Sequence, residues 1–161
     1  MGDRTGIAWC DATWNPVTGC DPVSEACDHF YAKAVATRFA GTPAYPRGFE
    51  VMCWPDRLTI PYRWARPRRV FVCSMSDLFH PEVPDGFIAQ VLAVAVNNPR
   101  HTFMLLTKRP ARMRSLLGGD GFGALVAAWA CLQAGARPRR RPRTVAPTLA
   151  PRNTIHGRNP R

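Results

Sequence analysis

The chain has 161 residues, a formal net charge of +11 and an apolar share of 46%, which suits one domain with a hydrophobic core and is short for two. Six cysteines are too sparse for a small disulfide scaffold, and the apolar run Phe122 to Leu132 falls well below the roughly 20 residues that span a bilayer. The opening "MGDRTGIAWCDATW" has no apolar stretch of signal-peptide length, so the expectation is a cytoplasmic protein with reduced cysteines and no membrane partner.

Three strand-like stretches, each followed by a turn and a helix, organise the first 117 residues. The first is irregular, around "IAWCDATWNPVTG", and runs through a cysteine loop into "CDHFYAKAVATRFAG". There Tyr31, Val35 and Phe39 recur at four-residue spacing, with Gly41 placed to stop the helix. A long connection, Thr42–Pro67, is rich in Pro, Arg and aromatics and predicts a short helix near Asp56–Tyr62. The second strand is "RVFVCS" (Arg69–Ser74), ahead of a helix whose face is Phe87, Ile88, Val91, Leu92 and Ala95 and which ends at Asn97-Asn98-Pro99. The third is "HTFMLLT" (His101–Thr107), ahead of "KRPARMRSLL", where Pro110 suits a first helical turn.

Alternation of this kind predicts buried parallel strands with right-handed crossovers. Ligand sites in such sheets lie at the carboxyl ends of the strands. The cysteine loop, "SMSDLFH" and "TKRP" would all emerge there. Residues 118–135 form a further segment with helical character. From residue 136 the text turns Arg/Pro-rich, without acid or periodicity, and disorder is expected over 136–161. Residues 118–161 carry +7 of the net charge and residues 1–117 only +4. The basic tail, with "RPRRRPR" at Arg137–Arg143, would bind polyanions non-specifically.

Several residues could carry chemistry. Cys20 and Cys27 sit on one loop at Cys-x6-Cys spacing: soft metal ligands on one reading, small buried hydrophobes on the other. Cys73 reads as an inward core residue of the second strand, and Cys10, Cys53 and Cys131 have no partner spacing. Ser74, Ser76, Asp77 and His80 follow that strand. They would contact a bound cofactor, or else Ser76 or Asp77 caps a short helix while His80 closes a turn. Lys108 and Arg109 would hold a phosphate or carboxylate, or else form a solvated loop. Trp9, Trp14, Trp54 and Trp64 suit base stacking or, more ordinarily, packing.

Taken together, "ATWNPVTGC", "CDHFYA", "VFVCSMSDLFHPEVPDGFI" and "HTFMLLTKRPARM", in that order, resemble a phage and prophage family of three-Cys-motif proteins of the Gp-thirty-seven/Gp-sixty-eight type, which are radical-SAM-like. The likeness covers roughly residues 5–117. It implies a partial (β/α) barrel, a [4Fe–4S] cluster ligated by Cys20 and Cys27, and S-adenosylmethionine near Ser76, Asp77, Lys108 and Arg109. In such proteins the reduced cluster cleaves S-adenosylmethionine to a radical that abstracts hydrogen from a substrate. Two departures stand out. The family motif is Cys-x6-Cys-x2-Cys, and this chain has Phe30 at the third position, where a phenyl ring cannot ligate iron. The family also continues with further β/α units, so the resemblance implies a truncated, degenerate member that would self-associate through its open barrel edge. The alternative reading is a small basic nucleic-acid-binding protein with a structural zinc site on Cys20, Cys27 and His29, a set at least one ligand short of the usual four.

Overall fold

The computed structural model describes residues 5–23, 27 and 31–135. Phe30, His29 and the tail 136–161 lie outside the described residues, so the expectations placed on them are not addressed by the fold.

The expected α/β organisation is present. Strands β1 (Ala12–Trp14), β4 (Arg69–Val72) and β5 (Thr102–Leu105) form a parallel sheet in the order β1-β4-β5. A small antiparallel pair, β2 (Val17–Thr18) with β3 (Met52–Cys53), sits beside it. Five α-helices complete the described part: α1 (Tyr31–Arg38), α2 (Ile60–Arg63), α3 (Asp85–Val96), α4 (Pro110–Leu117) and α5 (Phe122–Gly135). The short helix expected near Asp56–Tyr62 is a 3-10 turn, Pro55–Thr59, running into α2. The three parallel strands do not close into a barrel. No single described helix is long and apolar enough to cross a membrane.

Register explains which face is the core. Ala12, Val70 and Phe103 align across the sheet, as do Trp14, Val72 and Leu105. With side chains alternating at period two, these rows face α3, whose Phe87, Ile88, Val91 and Val94 are buried against them. The intervening row, Thr13, Phe71 and Met104, points to the opposite face and is only half-buried.

Helix α3 buries more of its surface than one stripe, adding Ala89, Ala93 and Val94 to Phe87, Ile88 and Val91, while Leu92 and Ala95 are half-buried. The physical reason is α5, which packs on α3 and is tied to it by two bonds. Gln133 Nε2 donates to the Gln90 carbonyl, and Asn97 Nδ2 donates to the Ala130 carbonyl.

Three expectations need correction. In α1 the buried residues are Ala32 and Ala36, while Tyr31 and Phe39 are 52% and 47% exposed. The small residues, not the large ones, face the interior there. The third strand is half-exposed instead of buried, because it is the outer strand of the sheet, and Leu106 just beyond it is 63% exposed. Cys73 is buried but is not a strand residue. It follows β4 at φ 58, in a turn that redirects the chain toward the carboxyl edge. That left-handed conformation is uncommon for a residue with a side chain.

Candidate functional site

The three segments expected to converge do so, at the carboxyl end of the parallel sheet. Cys20, Cys27, Ser76, Asp77, Lys108 and Arg109 all line one cleft of about 340 Å³. Apolar side chains, among them Val23, Phe49, Phe71 and Leu106, supply much of the remaining wall. Phe71 can reach it because its row faces away from α3.

The loop after β4 forms the rigid side. Ser74, Ser76, Asp77 and His80 are all buried, and every one of their side chains is engaged. Ser74 Oγ donates to Asn15 Oδ1 at 3.2 Å, the Met75 N–H donates to the same oxygen at 3.2 Å, and Ser76 Oγ donates to the Val17 carbonyl at 2.8 Å. These bonds lock the loop after the second parallel strand onto the segment following β1. Buried polar groups need such partners, since desolvation without a hydrogen bond is costly.

Asp77 is the centre of the site. It is 6% exposed and does not cap a helix. Its Oδ1 accepts from the Phe79 N–H at 2.9 Å, closing a local turn. Its carboxylate then reaches across to the loop after β5. Thr107 Oγ1 donates to both oxygens at 2.8 and 3.0 Å, the Lys108 N–H donates at 3.0 Å, and Arg109 approaches Oδ2 at 3.3 Å. A carboxylate with these acceptors filled positions neighbouring groups, while still lining the cleft.

Arg109 and Lys108 therefore leave the β5–α4 loop from a fixed backbone. Arg109 NH1 lies 3.4 Å from Cys20 Sγ, and NH2 donates to the Asp21 carbonyl at 3.2 Å. Lys108 Nζ lies 3.2 Å from Cys27 Sγ. Burial disfavours the charge on Arg109, but its hydrogen bond and charge interaction with Cys20, then those with Asp77, outweigh that and raise its pKa above the usual value. Neither cation stands in a purely solvated loop, as each has one of the two sulfurs as a partner.

The cysteine loop is held from behind. Gly19 pairs with Ser76 in a parallel bridge, and its N–H donates to the Met75 carbonyl at 3.1 Å. Its φ of +82° suits glycine, and a Cβ there would collide with the Glu50 backbone. Beyond Cys20, Asp21 meets the His80 ring, with Nε2 3.4 Å from Asp21 Oδ2. The Glu82 N–H donates to His80 Nδ1 at 3.2 Å, so the neutral ring carries its proton on Nε2 and donates it toward Asp21. Burial, then the positive charge of Arg109, pushes the His80 pKa below its ordinary value, against the opposing pull of Asp21.

Cys73 also lines the cleft, unlike its expected role as an inward strand residue. Burial pushes its thiol pKa up to about 12, which makes it a poor nucleophile and a poor ligand. No disulfide joins any of the six cysteines, and Cys10 is buried while Cys131 is exposed. Trp14 and Trp64 are core residues. Trp54 is stacked on by the Arg57 guanidinium, 3.9 Å from the ring centroid, and Trp9 packs on Phe71. The tryptophans are thus mainly packing residues.

Sequence reasoning missed Asn15, Asp21, Tyr31 and Thr107. Tyr31 lines the cleft and its hydroxyl donates to the Ser74 carbonyl at 3.0 Å. The usable signal was position: Asn15 and Thr107 lie directly beyond parallel strands, where polar residues gather in sheets of this type. Asp21 adjoins Cys20.

A search of the curated proteins returns no match, and a search of the solved structures returns none either. The family described as "Protein of unknown function (DUF5131)" matches residues 4–145, and with that span covered the chain belongs to this family.

Proposed function

We propose that this chain is a radical-SAM-like iron–sulfur protein of phage or prophage origin, built on the first units of a partial (β/α) barrel, whose cluster motif is degenerate and which does not turn over S-adenosylmethionine. The observation that carries the reading is the meeting of Cys20 and Cys27 with Ser76, Asp77, Lys108 and Arg109 in one cleft at the carboxyl edge of parallel strands.

A cluster with an open iron requires three thiolates, and the donor set falls short of it. Cys20 and Cys27 supply two. Cys73 shares the cleft, but its thiol holds its proton up to about 12. His80 is committed at both ring nitrogens, one to the Glu82 N–H and one to Asp21. Phe30 offers no donor atom at all. No reaction step is therefore assigned to the cluster. What the chain's own residues do is narrower. Asp77 fixes Thr107, Lys108 and Arg109 in place, and the two cations face the two sulfurs across an apolar-walled cleft.

Anaerobic reconstitution with iron and sulfide, run on this chain and on Phe30→Cys and read by visible absorption and iron and sulfide content, tests the reading. A cluster in Phe30→Cys alone is the expected result. A cluster in both overturns the assignment of the natural chain as degenerate, and iron in neither overturns the iron–sulfur reading. Stoichiometric zinc in the purified chain, with iron excluded from the loop, would favour a zinc-bearing nucleic-acid-binding protein instead.

A further inference from the structure

The two motif cysteines differ from the other thiol in their cleft in ways that do not involve iron. Cys73 is 3% exposed, sits in a turn behind the wall, and has its thiol pKa raised by burial. Cys20 and Cys27 are partly exposed at the mouth, on one loop with six residues between them. Each sulfur lies within hydrogen-bond distance of a cation, Arg109 at 3.4 Å and Lys108 at 3.2 Å. Those cations are consecutive residues anchored by the same carboxylate, through the Lys108 N–H and the Arg109 guanidinium. Partly exposed thiols facing fixed positive charge are the reactive class of cysteine, and apolar burial produces the inert class.

We infer that Cys20 and Cys27 form a redox-active dithiol that closes to an intramolecular disulfide by exchange with a low-molecular-weight disulfide. In the first step one of the two thiolates attacks a sulfur of the small disulfide. A protein–small-molecule S–S bond forms, the original S–S bond breaks, and one small thiolate leaves. In the second step the other cysteine thiolate attacks the protein sulfur of that mixed disulfide and expels the second small thiolate. Two electrons pass from the protein to the small disulfide, and the two protons lost by the cysteines end on the two departing thiols. Lys108 and Arg109 favour the thiolate form at each attacking sulfur, and Asp77 acts through them as a positioning residue. The inference stands independently of the iron–sulfur reading, because its test contains no iron.

The experiment uses the full chain, stripped with a chelator, reduced and desalted. Iodoacetamide labelling over time, followed by peptide mapping, should modify Cys20 and Cys27 first and Cys73 last. Oxidised glutathione should then lower the intact mass by two hydrogens and yield a Cys20–Cys27 cross-linked peptide. Lys108→Gln should slow labelling of Cys27 about five-fold, the effect of one partly screened charge. Continued protection of Cys73 in that variant reports that the fold is intact. Stable glutathione adducts without a Cys20–Cys27 cross-link would overturn the inference. So would an unchanged Cys27 labelling rate in Lys108→Gln with Cys73 still protected.

Discussion

Two loops meet at the cleft, and they are held in opposite ways. The loop after β4 is buried, and Ser74, Ser76, Asp77 and His80 each have their polar atoms bonded within the protein. The cysteine loop is more exposed, and beyond Gly19 it leans on its neighbours through Arg109 and His80. The difference separates two jobs. One loop spends its polar groups on fixing geometry, and the other presents sulfur to the cleft. Preorganisation on rigid elements, with reactive atoms on an adjoining loop, is the arrangement a binding site needs.

Removing the centre of the rigid loop should break this contrast most severely. Asp77→Ala leaves Arg109 without its carboxylate and strips acceptors from Thr107 and the Phe79 and Lys108 N–H groups. A loss of about 3 kcal/mol is expected in urea unfolding, the scale for breaking one side of a buried charged network. Ser76→Ala removes a single buried bond to the Val17 carbonyl, and a loss of about 1 kcal/mol is expected by the same measurement.

The contact between the two loops should be sensitive to acid. Burial, then Arg109, lowers the His80 pKa from 6.5, so the folded state binds this proton less readily than the unfolded chain. Stability from this group is complete above pH 6.5 and falls as pH drops below it, levelling off beneath the lowered folded-state value. His101 shifts in the same direction, chiefly through burial, and adds to the slope. Thermal unfolding between pH 7.5 and pH 5 of the chain and of His80→Gln should show a shallower slope in the variant; an identical slope would place the acid sensitivity elsewhere. Lys108→Gln should change stability least, by no more than about 0.5 kcal/mol, because the side chain is exposed. Its effect should show in Cys27 labelling instead, and a larger stability loss would mean that Lys108 belongs to the rigid side.

How much of this could be read in the sequence varied by element. The strands at Arg69–Val72 and Thr102–Leu105 were legible because short apolar runs are bounded by turn residues, and Pro110 did open a helix. Helix α1 misled, since the four-residue spacing of Tyr31, Val35 and Phe39 marks a face as well as Ala32 and Ala36 do, and spacing cannot say which face meets the protein. The β2–β3 pair escaped notice because two-residue strands have no period to detect. Within the site, the six named residues were legible as polar or thiol groups just past strands. Asp77's reach to Thr107, 30 residues away, was not, since it depends on β4 and β5 lying side by side.

By itself, then, the sequence determined the α/β alternation, the convergence of three loops on one edge, and the residue types gathered there. These follow from local hydrophobic patterning and from the rule that parallel strands share a carboxyl end. Only the tertiary structure decided which groups pair. Asp77 takes the β5 loop as its partner, Arg109 and Lys108 each face one sulfur, and Cys73 is withdrawn from that chemistry by a turn at φ 58. The reason is distance. Charges and hydrogen bonds act over a few ångströms, and residues 30 to 90 positions apart are brought that close only by the packing of the sheet.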